Sequence, residues 1–241
     1  VSALPQRRWG DTLSSRRALL VHGLSSDSGS WWHVAEELAL DGWHVTAVDL
    51  RGHGGAPRET RYRLTDYAGD LPGDAWNLVV GHSLGGAVSV LAAQRAGFTT
   101  RLVLLDPLLD VPEEQAEAII ADQVAELDYT AESIAHDRPH WHELDRASKL
   151  AGVQRVHAAA VVQTFTDTGR WDVTAEAAAL RIPTLILAGD PAVYTMLHPS
   201  TVESIANPLI EYRVIEGAGH SPHRDSPRET IAAILNWLVE H

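Results

Sequence analysis

The 241-residue chain has no cysteine, one methionine and two phenylalanines, and its 19 Lys and Arg are outnumbered by 32 Asp and Glu. Without cysteine there is no disulfide framework, no thiolate nucleophile and no Cys-ligated zinc or iron–sulfur site. A formal charge of −13 works against binding nucleic acid or an anionic membrane, both of which need clustered Lys and Arg to neutralise phosphates. The Arg pairs 7–8 and 16–17 are too few to reverse that balance. No apolar run approaches the roughly 18 residues of a membrane span, and no apolar stretch opens the chain. The expectation is a cytoplasmic protein acting on a small molecule, with no nucleic-acid partner and no membrane insertion.

What the chain does contain is a 45% hydrophobic share, ample for a buried core at this length. Short apolar runs recur at Ala18 to Val21, His44 to Val48, Leu78 to Val80, Leu102 to Leu105, Thr184 to Ala188 and Ile210 to Ile215, with helical segments between them. Runs without polar alternation are buried on both faces, which predicts a mostly parallel, doubly wound α/β sheet. Residues 84 to 96 read as a helix closed by Gly97. Ser226, Pro227 and Glu229 read as a capping box for a last helix with a stripe of Ile231, Ile234, Leu235 and Leu238, and Ser200 with Glu203 repeats the box one helix earlier. Between Pro107 and Arg181 no strand pattern appears, and so long an insertion must carry its own structure. It reads as helices from Asp110-Val-Pro-Glu113 to about Leu127, from Ser148 to Phe165 and from Thr174 to Leu180, laid as a cap over the sheet.

Gly81-His82-Ser83-Leu84-Gly85 stands where the strand Leu78 to Val80 passes into a helix. The pentapeptide resembles the G-x-S-x-G nucleophile elbow of the α/β-hydrolase superfamily, a tight turn that presents its serine above a sheet. The resemblance extends from about Ala18 to Glu240 and implies a core of 1–106 and 181–241 with a helical cap, 107–180, inserted after the sixth strand. The family's N-terminal hairpin is shortened or poorly formed here. A serine hydroxyl needs a base, and His220, in Gly217-Ala-Gly219-His220-Ser-Pro between the last strand and the last helix, resembles the family's catalytic histidine. His22-Gly23-Leu24 resembles the oxyanion loop, with the Leu24 and Leu84 amides as the expected donors and Gly23 allowing close approach. In that reading His22 orients the loop, and Arg51 and His53, in Asp49-Leu-Arg51-Gly-His53-Gly, are scaffold.

The triad acid departs from the family pattern. Relatives carry it after the strand matching Thr184 to Ala188, usually three residues beyond a glycine, whereas here Asp190 follows Gly189 directly and Ala192 stands at the usual place. Asp190 is the favoured acid; Asp106, at the end of the strand Leu102 to Leu105, is the alternative.

Pocket-lining candidates are Trp31 and Trp32 after the oxyanion loop, His82 in the elbow, and Trp141, Trp171 and Tyr194 in or near the cap. His136, His140, His142 and Glu143 cluster in the cap, but their spacing fits no metal-ligand motif and Pro139 interrupts the helix that ligation would need. No phosphate-loop or dinucleotide fingerprint is present, so neither metal nor cofactor is expected. The resemblance implies a serine hydrolase acting on a carboxylic ester or lactone. The same triad also serves C–C bond cleavage of dienoic ketones and thioester hydrolysis, and the fold can serve as a low-turnover ligand receptor. Between Pro107 and Asp145 there are eleven acidic residues and one Arg, a local charge of −10 that points to a neutral, fairly apolar substrate and disfavours polyanions such as acyl-CoA.

Overall fold

A computed structural model describes residues 3–73 and 75–241. The first half of the chain runs β1 (Gln6–Trp9), β2 (Arg17–Val21), α1 (Trp32–Leu40), β3 (His44–Val48), α2 (Leu64–Asp70), β4 (Leu78–His82), α3 (Leu84–Ala92) and β5 (Leu102–Leu105). A helical segment follows, with α4 (Glu113–Ala125), α5 (Ala131–Asp137), α6 (Glu143–Arg155), α7 (Ala158–Thr168) and α8 (Thr174–Ala178). The chain then returns through β6 (Thr184–Ala188), α9 (Pro199–Ser204), β7 (Ile210–Val214), α10 (Pro222–Asp225) and α11 (Pro227–Glu240). The strands form a single seven-stranded sheet ordered β1-β3-β2-β4-β5-β6-β7, parallel throughout except where β1 meets β3.

Side chains alternate along each central strand, so the sheet builds two apolar layers. Leu19, Val21, Val79, Leu102, Leu104 and Ile186 pack into the layer beneath α2 and α3, while Ala18, Leu20, Val80, Val103, Leu185 and Leu187 pack toward α1 and α11. The α11 stripe is buried at Ile231, Ile234 and Leu238, with Trp237 beside it. Among the described residues, no helix is long and apolar enough to cross a membrane.

Several local expectations are corrected by tertiary contacts. β1 was not foreseen because Gln-Arg-Arg-Trp has no apolar pattern; it is held by backbone pairing with β3. It takes the place of an N-terminal hairpin, so the helical segment follows the fifth strand of this chain rather than the sixth. α3 stops at Ala92, with turns leading to Gly97, which has φ +75°. The helix expected from Ser148 to Phe165 is two helices, because Val156 turns extended and the His157 N–H leaves the helical ladder to donate to Gly52 O at 2.7 Å. Neither capping box forms: the Ser226 N–H closes α10 on Pro222 O and its side chain caps nothing, while Ser200 lies inside α9 behind Pro199. The two ends of the helical segment meet, the Val111 N–H donating to Trp171 O and the Val173 N–H to Leu109 O.

Closest approach in the core is between α3 and the neighbouring strand end. A Cβ on Gly85 would lie 2.1 Å from Val21 O, and one on Gly81 2.4 Å from Gly85 O. Both obstacles are backbone, which cannot swing aside. Gly85→Ala is therefore expected to cost several kcal/mol, at or above the ~1–3 kcal/mol of ordinary overpacking, whereas Gly69→Ala, with open space around it, should cost far less. Urea unfolding of the two variants checks this.

Buried histidines set the acid limit of the fold. His22 donates from Nδ1 to Gly23 O at 2.7 Å and accepts the Leu50 N–H at Nε2 at 3.0 Å, so it is neutral and ties two strand-end loops together. Burial, reinforced by nearby His22, pushes His53 down to about 3. Burial likewise lowers His22, His82 and His223. A base with a folded pKa below its unfolded value is protonated first in the unfolded chain, so its contribution is complete above about 6.5 and is lost as pH falls from there. Between pH 7 and pH 5 His53 alone should remove about 2 kcal/mol. Urea midpoints should fall steeply over that range and less steeply in His53→Asn; a flat profile would contradict it.

Candidate active site

The C-terminal ends of β2, β4, β5, β6 and β7 carry the loops that build the site around Ser83. Ser83 sits at φ 52°, ψ −117°, a conformation costing a non-glycine residue about 1–3 kcal/mol. Its backbone is over-determined: the N–H donates to Leu105 O, and the carbonyl accepts from the Gly86, Ala87 and Leu108 amides. The side chain is thus held above the sheet at the mouth of α3.

Two hydrogen bonds run from Ser83 into the protein. Ser83 Oγ lies 2.9 Å from His220 Nε2, and His220 Nδ1 lies 2.5 Å from Asp106 Oδ2. Asp106 has no exposed surface and a left-handed backbone at φ 37°. Its Oδ1 accepts from the Gly189 N–H at 3.0 Å and the Thr195 hydroxyl at 2.5 Å, and its Oδ2 also accepts from the Met196 N–H at 2.9 Å. Burial would raise this carboxyl, but the bond to His220 and its charge, with the Met196 amide and Thr195 hydroxyl, outweigh it and hold Asp106 below the usual range. An ionised acceptor at Nδ1 keeps the ring proton there and leaves the Nε2 lone pair facing Ser83.

Asp190, the favoured acid from the sequence, makes no contact with His220. Its Oδ1 accepts from the Ala192 N–H at 2.8 Å and its Oδ2 from the Gly217 N–H at 2.9 Å, fastening the loop after β6 to the loop that carries His220. Those amide bonds lower its carboxyl. The loop after β6 thus supplies donors, from Gly189, Thr195 and Met196, to a carboxylate that comes from β5. Thr195 was not foreseen, and nothing in Tyr-Thr-Met marks it.

Support for His220 comes from both sides. Asp225 Oδ2 accepts the Gly219 N–H at 3.0 Å, while its Oδ1 accepts from Trp141 Nε1 at 2.6 Å and His140 Nε2 at 3.0 Å. His82 Nε2 donates to the His220 carbonyl at 2.7 Å, its ring lying against those of His220 and His223. Burial, then the neighbouring His223 and His220, hold His82 well below its ordinary pKa, so it is a neutral donor.

Leu24 and Leu84 both border the cavity above Ser83, and among the described residues neither N–H donates to a protein acceptor. A side chain on Gly23 would meet His82 Nδ1 at 2.9 Å and Ser83 Cβ at 3.2 Å, so only glycine lets this loop approach. Such free amides beside a serine could bind a developing oxyanion.

The cavity measures about 600 Å³. One wall is apolar, with Leu24, Leu108, Ile119, Phe165 and Trp171, and Tyr194 stands edge-on to His220. The polar part of the lining carries Arg138, Lys149 and Arg224 with Trp141, and also the carboxylates Asp122, Glu126, Asp137 and Asp225. Of the candidate lining residues, His82, Trp141, Trp171 and Tyr194 line it; Trp31 and Trp32 do not. The Ser28–Trp31 turn, capped by Asp27, rotates the Trp31 ring into the core against His223, and Trp32 braces α6 through Nε1 to Asp145 Oδ1 at 2.9 Å. His142 caps α6 and His136 meets Asp137. Among the described residues no three His, Asp or Glu side chains converge as a metal-ligand set.

The chain is 28% identical to 2-(acetamidomethylene)succinate hydrolase of Mesorhizobium japonicum, over 91% of this chain and 87% of that one. To lipase LipV of Mycobacterium tuberculosis it is 32% identical over 120 residues, 47% of this chain and 45% of the lipase. The solved structure of a thermophilic esterase from Thermogutta terrifontis superposes with a TM-score of 0.78 at 27% identity, covering 98% of this chain and 93% of that one. The model of the alpha/beta hydrolase family matches residues 18–234. With its seven-stranded sheet and the serine turn between β4 and α3, the chain belongs to the α/β-hydrolase family.

Proposed function

We propose that the protein is a serine hydrolase that cleaves carboxylic esters, lactones among them, through an acyl-enzyme on Ser83. The observation that carries this reading is the unbroken pair of hydrogen bonds from Asp106 through His220 to Ser83 Oγ. As Ser83 Oγ attacks the acyl carbon, His220 Nε2 takes its proton, and the imidazolium so formed is stabilised by Asp106. The Leu24 and Leu84 amides receive the negative oxygen of the tetrahedral intermediate. Collapse breaks the bond to the alcohol, which leaves with the proton from His220. Water then gives up a proton to His220 and attacks the acyl-enzyme, and the acid departs as Ser83 recovers its hydrogen. The proton transfers use the Ser83–His220 and His220–Asp106 pairs already in hydrogen-bond reach, and the relatives named lipase and esterase support hydrolysis of this kind.

The segment 107–180 serves in this reading as a cap that closes the site. Its paired ends at Leu109 to Val111 and Trp171 to Val173 support one boundary for the whole insertion, and Leu108, Phe165 and Trp171 supply an apolar wall for the acyl chain. The eleven carboxylates between Pro107 and Asp145 disfavour polyanions such as acyl-CoA.

A fluorophosphonate probe should label the folded protein at Ser83, and Ser83→Ala should abolish labelling and hydrolysis of 4-nitrophenyl butyrate. Asp106→Asn should lower kcat by about 10⁴, since the histidine then adopts the wrong tautomer, while Asp190→Asn should stay within a few fold of wild type. No labelling would favour a ligand receptor, and equal, mild losses in both Asp variants would sink the relay.

A further inference from the structure

Arg224 is 5% exposed and borders the same cavity as Ser83, yet among the described residues no carboxylate lies within ion-pair distance of it. Its Nε hydrogen finds no acceptor among the described residues, and its Nη2 has only long contacts, 3.5 Å to Ser26 Oγ and 3.4 Å to Ser148 Oγ. A buried guanidinium is normally paired or fully hydrogen-bonded, because desolvation without compensation is costly. Burial lowers its pKa, and Asp145, Glu126, Asp225 and Asp27 oppose that from farther off.

Each of those four carboxylates has hydrogen-bond partners of its own, although Asp145 Oδ2 and Asp27 Oδ2 are buried without one among the described residues. Asp225 accepts from Trp141, His140 and Gly219; Glu126 holds Lys149 Nζ at 2.6 Å; Asp145 accepts from Trp32; and Asp27 caps Gly29. The guanidinium stacks 5.0 Å from the centre of the Trp141 ring, which fixes its plane without using its hydrogens. It stands between the oxyanion loop, through Ser26, and α6, through Ser148. α6 lies against that loop so closely that a Cβ on Gly152 would be 2.8 Å from Ser26 Cα. Lys149, 8% exposed, also lines the cavity, with its charge already met by Glu126.

We propose that Arg224 is the anion-binding group of the site and that the preferred substrate is an ester bearing one carboxylate, such as the half-ester of a dicarboxylic acid. This rests on the hydrolase reading above and replaces the neutral ester as the preferred substrate. A planar guanidinium with free hydrogens matches a carboxylate, and the carboxylates Asp122, Glu126, Asp137 and Asp225 that share the cavity disfavour ligands of higher charge. The charge imbalance between Pro107 and Asp145 did not reveal the site because Arg224 comes from α10, just after His220 and outside that segment.

Calorimetric titration of the Ser83→Ala protein with monomethyl glutarate and with dimethyl glutarate tests the site without turnover. The monoacid should bind about 30-fold more tightly, the range expected for a charge-assisted pair. Ser83→Ala/Arg224→Met should lose that preference and Ser83→Ala/Arg224→Lys keep part of it. Equal affinity for the two ligands in Ser83→Ala protein overturns the proposal, as does a preference surviving in the Met variant. Fluorophosphonate labelling of the wild type judges the hydrolase reading separately, so an unlabelled serine beside an intact monoacid preference would indict the reaction and not the anion site.

Discussion

A fully buried carboxylate at the end of β5 is the constraint around which the site is arranged. Asp106 stays ionised only because four donors, from Gly189, Thr195, Met196 and His220, surround it. Burying a charge without such partners would be prohibitive, so the loop after β6 must take the one path that brings those donors inward. That path also brings Tyr194 beside His220 and closes one side of the cavity. The unusual backbone of Asp106 and that of Ser83 persist because neighbouring strands and amides hold both in place.

Around this centre the protein sorts its histidines by environment. His22 and His82 are neutral and use ring hydrogen bonds to fix loops; His53 is buried behind them. His220, with Asp106 on one nitrogen and Ser83 on the other, is the one poised for proton transfer in the proposed reaction. Charge is sorted similarly. The acidic residues of the helical segment dominate its composition, and three of them, Asp122, Glu126 and Asp137, line the cavity together with Lys149 and Arg224. Glu126 neutralises Lys149 there, which leaves Arg224 as the buried cation without an ion-pair partner among the described residues.

Much of the fold was legible because it is written in local pattern. Apolar runs produced six strands near their expected positions, five of them buried and β7, with its alternating Glu211 and Arg213, half-exposed at the sheet edge, and the α11 stripe lies buried at Ile231, Ile234 and Leu238. β1 escaped because an edge strand held by backbone pairing needs no apolar side chains. The break at Val156 escaped because it depends on Gly52, more than a hundred residues away in the chain. In the site, Gly81-His82-Ser83-Leu84-Gly85 could be read directly, since a turn this tight demands small residues at fixed places. The choice between Asp190 and Asp106 could not, because both stand at strand ends and only the fold of the loop after β6 selects between them.

The sequence by itself determined the two-layered α/β sheet, the serine turn and the presence of a long acidic helical insertion. These follow from residue type and spacing within short windows, where steric and hydrophobic rules act locally. Tertiary structure alone decided which carboxylate meets His220, which tryptophans face the cavity, and that Arg224 is buried there with no ion-pair partner among the described residues. Each of those depends on where distant loops lie relative to one another, and a charge or hydrogen bond takes its energy from that surrounding geometry rather than from its position along the chain.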